Sequence, residues 1–198
     1  TKAELEAHGF ERVAVWGRGV DTHRFHPKHR SVQLRRRLTN GHPERPLLLY
    51  VGRLAMEKRI HWIRPLLDVL PEAHLAIVGD GPIREELEDQ FAGTRTIFTG
   101  FLEGEALARV YATADLFVFP SNTETFGNVV LEAMASGLPV VAAGAGGPVD
   151  HIQHGYNGYL SDPTDPADFV ALAWRCITDR PNLEKMKTSA RKIGRAHV

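Results

Sequence analysis

Five short segments rich in apolar and β-branched residues recur along the chain, and each is followed directly by glycine or proline. Between them, apolar residues recur at helical spacing. Apolar runs of this length are typical of parallel strands that are buried on both faces. Strands alternating with helices predict an α/β fold, a Rossmann-like doubly wound parallel sheet with right-handed crossovers. The predicted strands are Leu47–Val51, Leu75–Val78, Thr96–Thr99, Leu116–Phe119 and Val140–Ala143.

Helical patterns fill most of the remaining chain. A brief further strand is predicted at Val13–Trp16, Asn40–Pro46 reads as a linker, and Gly155–Gly158 reads as a turn. The predicted helices are Thr1–Gly9, Val32–Leu38, Ile60–Leu70, a segment ending at Phe91, Glu103–Thr113, a segment ending before Gly137, Val149–Gln153, Asp165–Thr178 and Asn182–Ile193.

Size and composition restrict the class of protein. The chain has 198 residues, which suits one α/β domain with part of another. Its 24 basic and 24 acidic residues balance, which gives no indication of a nucleic-acid partner. The single cysteine, Cys176, excludes an internal disulfide and is expected to be a buried thiol in a cytoplasmic protein. Since the chain opens at Thr1 in the middle of a pattern, we expect a fragment of a longer protein.

The stretch Ser121–Pro139 holds the main candidate site. It follows a predicted strand, and ligands of open α/β sheets bind outside the carboxyl ends of the strands. Backbone amides near Phe126–Asn128, in the predicted first helical turn, would form an anion site that Gly127 lets a phosphate approach closely. Glu124 and Glu132 stand eight positions apart, too far to share one proton, and are interpreted as separate acceptors for hydroxyl groups. Alternatively, Glu124 caps the helix and Glu132 is only solvated.

The loop after the first strand offers two cations. Arg53 and Lys58 would reach the same edge of the sheet, where an arginine fork and a lysine point charge suit a diphosphate. The alternative is that they pair with Glu57 or other nearby carboxylates.

The glycine-rich loops lack a complete nucleotide fingerprint. Gly79–Asp80–Gly81 has Arg84 in place of a third glycine, and Gly144–Gly147 follows the fifth strand rather than the first. Both are interpreted as tight turns that let a ligand lie against the backbone. No P-loop, no Asp-x-Asp pair and no G-x-S-x-G elbow occurs in the sequence.

Three groups of basic residues are not expected to form functional sites. His23, His26 and His29 recur every three residues, but without carboxylates or cysteines beside them a metal site is not expected. Arg35–Arg37 on a predicted helix could face a membrane, although a solvated helix face is favoured. His151 and His154, beside Asp150, could form a base or ligand pair, although a short surface helix is favoured.

Several of these motifs together resemble the C-terminal domain of retaining GT-B glycosyltransferases of family 4, also called group 1. The resemblance is dense over Leu47–Asp162. Trp16–Asp21 resembles the crossover from the family's N-terminal domain. The motifs are Val51–Ile60, Ile77–Pro82, Phe98–Leu102, Tyr111–Pro148 and His154–Leu160.

The resemblance implies a nucleotide-diphosphate sugar as donor substrate, with no cofactor and no metal. Arg53 and Lys58 would hold the diphosphate, Glu124 would face the sugar hydroxyls, and Glu132 would accept from the ribose. Residues implied in donor binding are Gly52, Gly79, Gly81, Gly100, Phe101, Leu102, Thr125, Phe126, Gly127, Asn128, Val129 and Glu132.

The resemblance also implies an organisation. Residues 1–27 would end the acceptor domain and cross over, and residues 28–198 would form the nucleotide-sugar-binding domain. The partner would be the missing N-terminal domain of the same chain, through which the protein could contact the inner face of the membrane from the cytoplasm. Gly146–Asp150 departs from the frequent Gly-Gly-Ile-Pro-Glu motif in a way associated with mannosyl- and sulfoquinovosyl-type members.

A sugar from GDP-mannose or a UDP-sugar would pass to a lipid, glycan or small-molecule acceptor with retained anomeric configuration, although the fragment alone is expected to be inactive. Two alternatives remain open at this point. The same fold serves sugar-nucleotide epimerases and phosphorylases, and it could persist as a non-catalytic binding module.

Overall fold

The computed structural model describes residues 2–13 and 19–196, with side chains described for residues 5–13 and 19–192. The predicted strand at 13–16 and the crossover motif at 16–21 extend into residues 14–18, which lie outside the described part.

One parallel sheet of six strands organises the described residues, in the order β3-β2-β1-β4-β5-β6. Since β1 neighbours both β2 and β4, the chain reverses its direction of winding between β1 and β4. Ligands of this architecture bind at that reversal, outside the carboxyl ends of the strands. The strands are β1 Leu47–Val51, β2 His74–Val78, β3 Thr96–Gly100, β4 Leu116–Phe119, β5 Val140–Ala143 and β6 Gly158–Ser161.

The sixth strand corrects the sequence prediction, which ended the sheet at β5 and placed only a turn at Gly155–Gly158. The turn exists, with the amide of Gly155 donating to the carbonyl of Gly158 over 2.8 Å. Gly158 then begins β6, which pairs with Val140–Ala143. A β-carbon at position 158 would collide with the carbonyl of Val140, so this edge strand can pair with β5 only if position 158 is glycine.

Nine α-helices lie within the described residues and pack in connected groups. Helix α3 contacts α8, while α5 contacts α2 and α6, and α6 contacts α9. The helix predicted over Ile60–Leu70 is divided, since a 3-10 turn at Ile60–Ile63 precedes an α-helix containing Pro65. The helices are α1 Lys2–Ala7, α2 Val32–Leu38, α3 Arg64–Val69, α4 Arg84–Gln90, α5 Gly104–Thr113, α6 Asn128–Ala135, α7 Pro148–His151, α8 Pro166–Thr178 and α9 Arg180–Ala196.

Arg35 corrects the prediction of a solvated basic helix face. Its side chain is buried, and its guanidinium lies 2.6 Å from Asp115, immediately before β4. The same guanidinium donates to the carbonyls of Pro43, Arg45 and Thr113. A buried pair satisfied on all sides in this way costs stability when either partner is removed, so Arg35 holds α2 against the amino end of β4.

The core lies on both faces of β1, β2, β4 and β5, whose residues are all buried. Cys176 is buried beneath α9 as expected, and burial raises the pKa of its thiol to about 12. None of the helices in the described ranges is both long enough and apolar enough to cross a bilayer.

Candidate functional site

The loops after β1 and β4 meet at the reversal of the sheet. Lys58, in the β1 loop (residues 52–58), places its Nζ atom 3.3 Å from Oε2 of Glu124, in the β4 loop (residues 120–127). The lysine side chain is 16% exposed and the carboxylate 24%, so the pair is partly shielded from solvent. The two side chains are 66 residues apart in sequence, and the strands β1 and β4, which precede their loops, bring them together.

Arg53 lies on the same loop, and its side chain is exposed. Its backbone carbonyl accepts a hydrogen bond from the hydroxyl of Tyr50 over 3.2 Å. Tyr50 lies within β1, and burial together with the nearby charge of Glu124 raises the pKa of its phenol. The buried tyrosine thus supports the turn that presents Arg53 to solvent.

The β4 loop is held by the glycine-rich loop after β5 (residues 144–147). The amide of Gly147 donates to the carbonyl of Glu124 over 2.8 Å. A β-carbon on Gly146 would collide with that same carbonyl, and one on Gly147 would lie 2.5 Å from the carbonyl carbon of Phe126. The glycines therefore let one backbone lie against another, whereas the sequence interpretation assigned that space to a ligand.

His151 supplies a further contact and corrects its predicted surface position. Its side chain is buried, and Nε2 lies 3.1 Å from the carbonyl of Phe126. Asn157, fully buried, donates to the carbonyl of His151 over 3.0 Å. A buried amide needs hydrogen-bond partners, and this bond ties His151 to the turn before β6.

Helix α6 begins at Asn128, within the stretch Phe126–Asn128 where its first turn was predicted. Gly127 is its N-cap, in the left-handed conformation with φ of 79°, and its amide donates to Oε1 of Glu124 over 3.3 Å. Glu124 thus contacts a cap amide, as in the capping alternative, and Lys58, which pairs with a nearby carboxylate as the alternative for that lysine had it. Its predicted role as a hydroxyl acceptor stays a prediction. The amides of Asn128 and Val129 open the helix, where the first turn leaves N–H groups without intrahelical partners.

Glu132 lies deeper in the same helix and is not the solvated residue of the alternative interpretation. The hydroxyl of Tyr111 donates to its Oε2 over 3.1 Å. Burial raises the pKa of Glu132 to about 7, against the opposing effects of the Tyr111 hydrogen bond and the charge of Arg24. Its carboxyl therefore keeps its proton to a higher pH than an exposed glutamate does, and it makes no contact with Glu124.

Replacing Glu132 with glutamine is expected to stabilise the fold at alkaline pH. Because the folded pKa of about 7 exceeds the ordinary value of 4.5, the folded state binds more protons between those values, and stability falls as pH rises through that window. Glutamine removes that loss while still accepting from Tyr111. We expect a gain on the order of 1–3 kcal/mol at pH 8 that shrinks towards pH 4.5.

Thermal unfolding between pH 4.5 and 8 measures this effect. Glu85→Gln, an exposed change of the same kind on α4, should leave the pH profile unaltered. A gain for Glu132→Gln that is independent of pH would contradict a buried, titrating carboxyl.

The predicted residues after β2 and β3 lie on the same edge of the sheet. A β-carbon on Gly79 would collide with the carbonyl of Gly52, and one on Gly81 would collide with the carbonyl of Leu54. As with the β5 loop, the glycines accommodate neighbouring backbone, as tight turns do, and their contact with a ligand stays a prediction. The amide of Gly79 also donates to the carbonyl of Gly100 over 2.9 Å.

The remaining predicted residues divide by exposure. Phe101 is 73% exposed and Phe126 37%, and both rings face solvent beyond the ends of β3 and β4. Thr125 and Asn128 are also exposed, whereas Leu102 and Val129 pack partly against the core. The structure thus brings Lys58 and Glu124 into contact, leaves Phe101, Thr125, Phe126 and Asn128 exposed, and buries part of Leu102, Val129 and Glu132.

Two tyrosines at this edge were missed from sequence. Tyr50 and Tyr111 read there as apolar positions of a strand and a helix, yet their hydroxyls support Arg53 and Glu132. The available signal was that a buried tyrosine hydroxyl nearly always finds a partner. Within the described residues, no group of three or more histidine, cysteine, aspartate or glutamate side chains could hold a metal ion.

The chain is similar to several known proteins. The family model described as "Glycosyl transferases group 1" matches residues 45–179. The sulfoquinovosyl transferase SQD2 of Arabidopsis thaliana is 46% identical over 184 residues, which cover 91% of this chain and 36% of that protein. A GDP-mannose-dependent alpha-mannosyltransferase of Corynebacterium glutamicum is 41% identical over 94% of this chain and 44% of its own length.

A solved structure is similar over nearly the whole chain. HepE from Anabaena, in complex with UDP and glucose, superposes with a TM-score of 0.84 at 27% identity, over 98% of this chain and 56% of that one. The chain thus spans less than half the length of the two curated relatives described above.

Proposed function

Since the chain belongs to the glycosyl transferases group 1 family, we propose that it is the C-terminal donor-binding half of a retaining GT-B glycosyltransferase of family 4. It binds a nucleotide-diphosphate sugar, and the whole enzyme transfers the sugar to an acceptor with retained anomeric configuration. Residues 28–198 form the donor domain, and residues 1–27 lead in from an N-terminal acceptor domain. No metal is required, and the protein works in the cytoplasm, where the N-terminal domain contacts the membrane.

The Lys58–Glu124 contact at the reversal of the sheet carries this proposal. A diphosphate needs a cation, and sugar hydroxyls need an acceptor, and the two stand 3.3 Å apart at the edge where this fold binds ligands. The exposed Arg53 adds a second cation on the same loop, which suits two phosphate groups.

The other residues extend the site in both directions. Glu132 accepts from the ribose hydroxyls, in exchange for the Tyr111 hydrogen bond or beside it. The amides at the start of α6 and the contacts of Thr125 and Phe126 face sugar and phosphate. The nucleotide base lies against the backbone of Gly79–Gly81 and Gly100–Leu102.

Charge stabilisation is the main contribution of these residues to the reaction. Negative charge grows on the diphosphate as its bond to the sugar breaks, and the positive charges of Arg53 and Lys58 stabilise it. Loss of one such preorganised donor typically lowers a rate by about 10²–10³. The acceptor domain lies outside this chain, so the chain alone binds donor without turnover.

GDP-mannose and UDP-sugars are both candidate donors. One relative is a GDP-mannose-dependent alpha-mannosyltransferase, and the similar solved structure of HepE contains UDP and glucose. Calorimetric titration of the chain with UDP, GDP, UDP-glucose and GDP-mannose, with and without EDTA, tests the proposal. Metal-independent binding of one diphosphate is expected and would identify the base. Absence of binding to all four, repeated with the full-length enzyme, would overturn it.

Replacing Glu124 with alanine should weaken binding of the sugar conjugate more than binding of the free diphosphate. The carboxylate faces the sugar, and its removal leaves Lys58 more available to phosphate. We expect about a tenfold loss for the conjugate, the size of one charge-assisted hydrogen bond. Equal losses for both ligands would place Glu124 at the diphosphate instead.

A further inference from the structure

A second concentration of positive charge lies outside the proposed donor site. A cavity of about 540 Å³ separates the segment Asp21–Arg30 from the start of α5. Its volume falls within the range of small-molecule sites. Six basic side chains line it: His23, Arg24, Lys28, His29, Arg30 and Arg109.

The segment that carries most of these side chains is held in a fixed conformation. Oδ1 of Asp21 accepts from the amides of His23 and Arg24, each at 3.0 Å. Phe25 is buried against the ring of Tyr111, with centroids 5.7 Å apart. The guanidinium of Arg191 donates to the carbonyl of Phe25 over 3.1 Å. The basic residues therefore lie on a turn whose conformation is fixed by these hydrogen bonds and by the packing of Phe25.

The charges in this cavity are only partly compensated. Arg24 lies 3.8 Å from Asp21, and Arg30 lies 3.7 Å from Asp115, whose carboxylate is already bound by Arg35. Lys28 and Arg109 are exposed, and neither lies in an ion pair among the described residues.

One acid, Glu105, lines the cavity, so four permanent cations outnumber it. Glu105 opposes an anion, but it cannot neutralise the group. Such a density of like charge in one cavity favours an anionic occupant.

The helix that closes the cavity adds to the positive potential. Helix α5 has ten residues, and Gly104 at its start and Ala108 one turn later line the cavity. The side chain of its N-cap, Glu103, makes no capping hydrogen bond. Because the start of the helix lines the cavity, the positive end of the helix dipole lies on the same side as the basic residues.

From these observations we propose that the cavity is a second anion site, which binds a ligand with more than one phosphate charge. The ligand is either a free polyphosphate or the headgroup of an anionic phospholipid, since both present the same chemistry to the cavity. None of the residues proposed to bind the donor lines it. The inference stands on the cavity alone and does not depend on the proposed function.

Site-resolved NMR titration of the 198-residue chain with pyrophosphate tests the site. Saturable shifts of the Gly104 and Ala108 amides are expected, with a binding curve distinct from that of Gly127 in the donor site. The double variant Lys28→Gln/Arg109→Gln should weaken the first curve about tenfold and leave the second unchanged. Shifts confined to Gly127 would overturn the proposal.

A double variant of equal charge separates a built site from diffuse attraction. Arg36→Gln/Lys185→Gln removes two exposed cations that do not line the cavity. It should leave the pyrophosphate curve at Gly104 unchanged. Equal weakening in both double variants would contradict the proposal.

Vesicles distinguish the two sources of phosphate. Co-sedimentation with phosphatidic acid in phosphatidylcholine, lost in Lys28→Gln/Arg109→Gln and displaced by pyrophosphate, would support a lipid headgroup. Binding of pyrophosphate without sedimentation would support a free polyphosphate. Sedimentation that is unaffected by the cavity variant would count against this site.

Discussion

Replacing Lys58 with methionine is expected to weaken binding of a nucleoside diphosphate by about tenfold to a hundredfold, as for loss of one charged hydrogen-bond donor. Two effects act together. The diphosphate loses a cation, and Glu124, only 24% exposed, keeps its negative charge beside the vacated position. Repulsion from that carboxylate makes this the largest binding effect that we expect from one side chain. Calorimetric titration with UDP and GDP measures it.

The double variant Lys58→Met/Glu124→Gln separates the two effects. If the residual carboxylate contributes, neutralising it recovers part of the lost affinity, and the double-mutant cycle gives the coupling between the two side chains. Lys185→Met, which removes an exposed cation on α9, is the matched control and should bind as the parent does. Affinity equal to the parent in Lys58→Met would remove the basis for the proposed diphosphate site.

Gly146→Ala is expected to produce the largest loss of stability, about 2–4 kcal/mol. Gly146 has φ of 63°, and a β-carbon there meets the backbone carbonyl of Glu124, which cannot rotate away as a side-chain end could. The β4 loop must move to make room. For a domain of this size, the melting temperature should fall by about 5–15 °C, and Glu124 moves with the loop.

Gly93→Ala separates backbone strain from collision. Gly93 also has positive φ, of 76°, but its added β-carbon meets nothing within 4 Å. It should cost only about 1 kcal/mol, the penalty of the left-handed conformation. Differential scanning calorimetry of both variants measures the difference. Equal melting temperatures would mean that the β4 loop is not packed against the β5 loop.

The residue ranges of most strands in the middle of the sheet could be predicted from sequence. The predicted bounds of β1, β4 and β5 agree with the structure, because apolar runs ended by glycine or proline are unambiguous in a sheet buried on both faces. β6 escaped prediction because Gly158 and the preceding Asn157 carry turn chemistry. Its strand conformation depends on pairing with β5, which no local pattern encodes.

The sequence identified the residues of the candidate site but not the contacts between them. Arg53, Lys58 and Glu124 were each expected at one edge, since strand ends place them there. The direct contact between Lys58 and Glu124 depends on the relative height of two loops, which sequence spacing does not specify. Glu132 was expected as a hydroxyl acceptor, but its raised pKa arises from burial that only the packed helices create.

Two basic residues were misjudged for the same reason. Arg35 lies in a run of three arginines and His151 beside an aspartate, and both patterns are typical of solvated surfaces. Each is buried because a distant segment supplies its partners, namely Asp115 for Arg35 and the carbonyl of Phe126 for His151. Such long-range satisfaction of a charged or polar side chain leaves no periodic trace in the sequence.

The loops after β1 and β2 pack backbone against backbone, with Gly79 against Gly52 and Gly81 against Leu54. Neither loop can gain a side chain at these glycines without displacing the other. Phe101, beyond the end of β3, is 73% exposed, so a changed side chain there would alter this edge without displacing either loop. Side-chain changes at this edge therefore cost little at Phe101, whereas at Gly79 or Gly81 they require two loops to move apart.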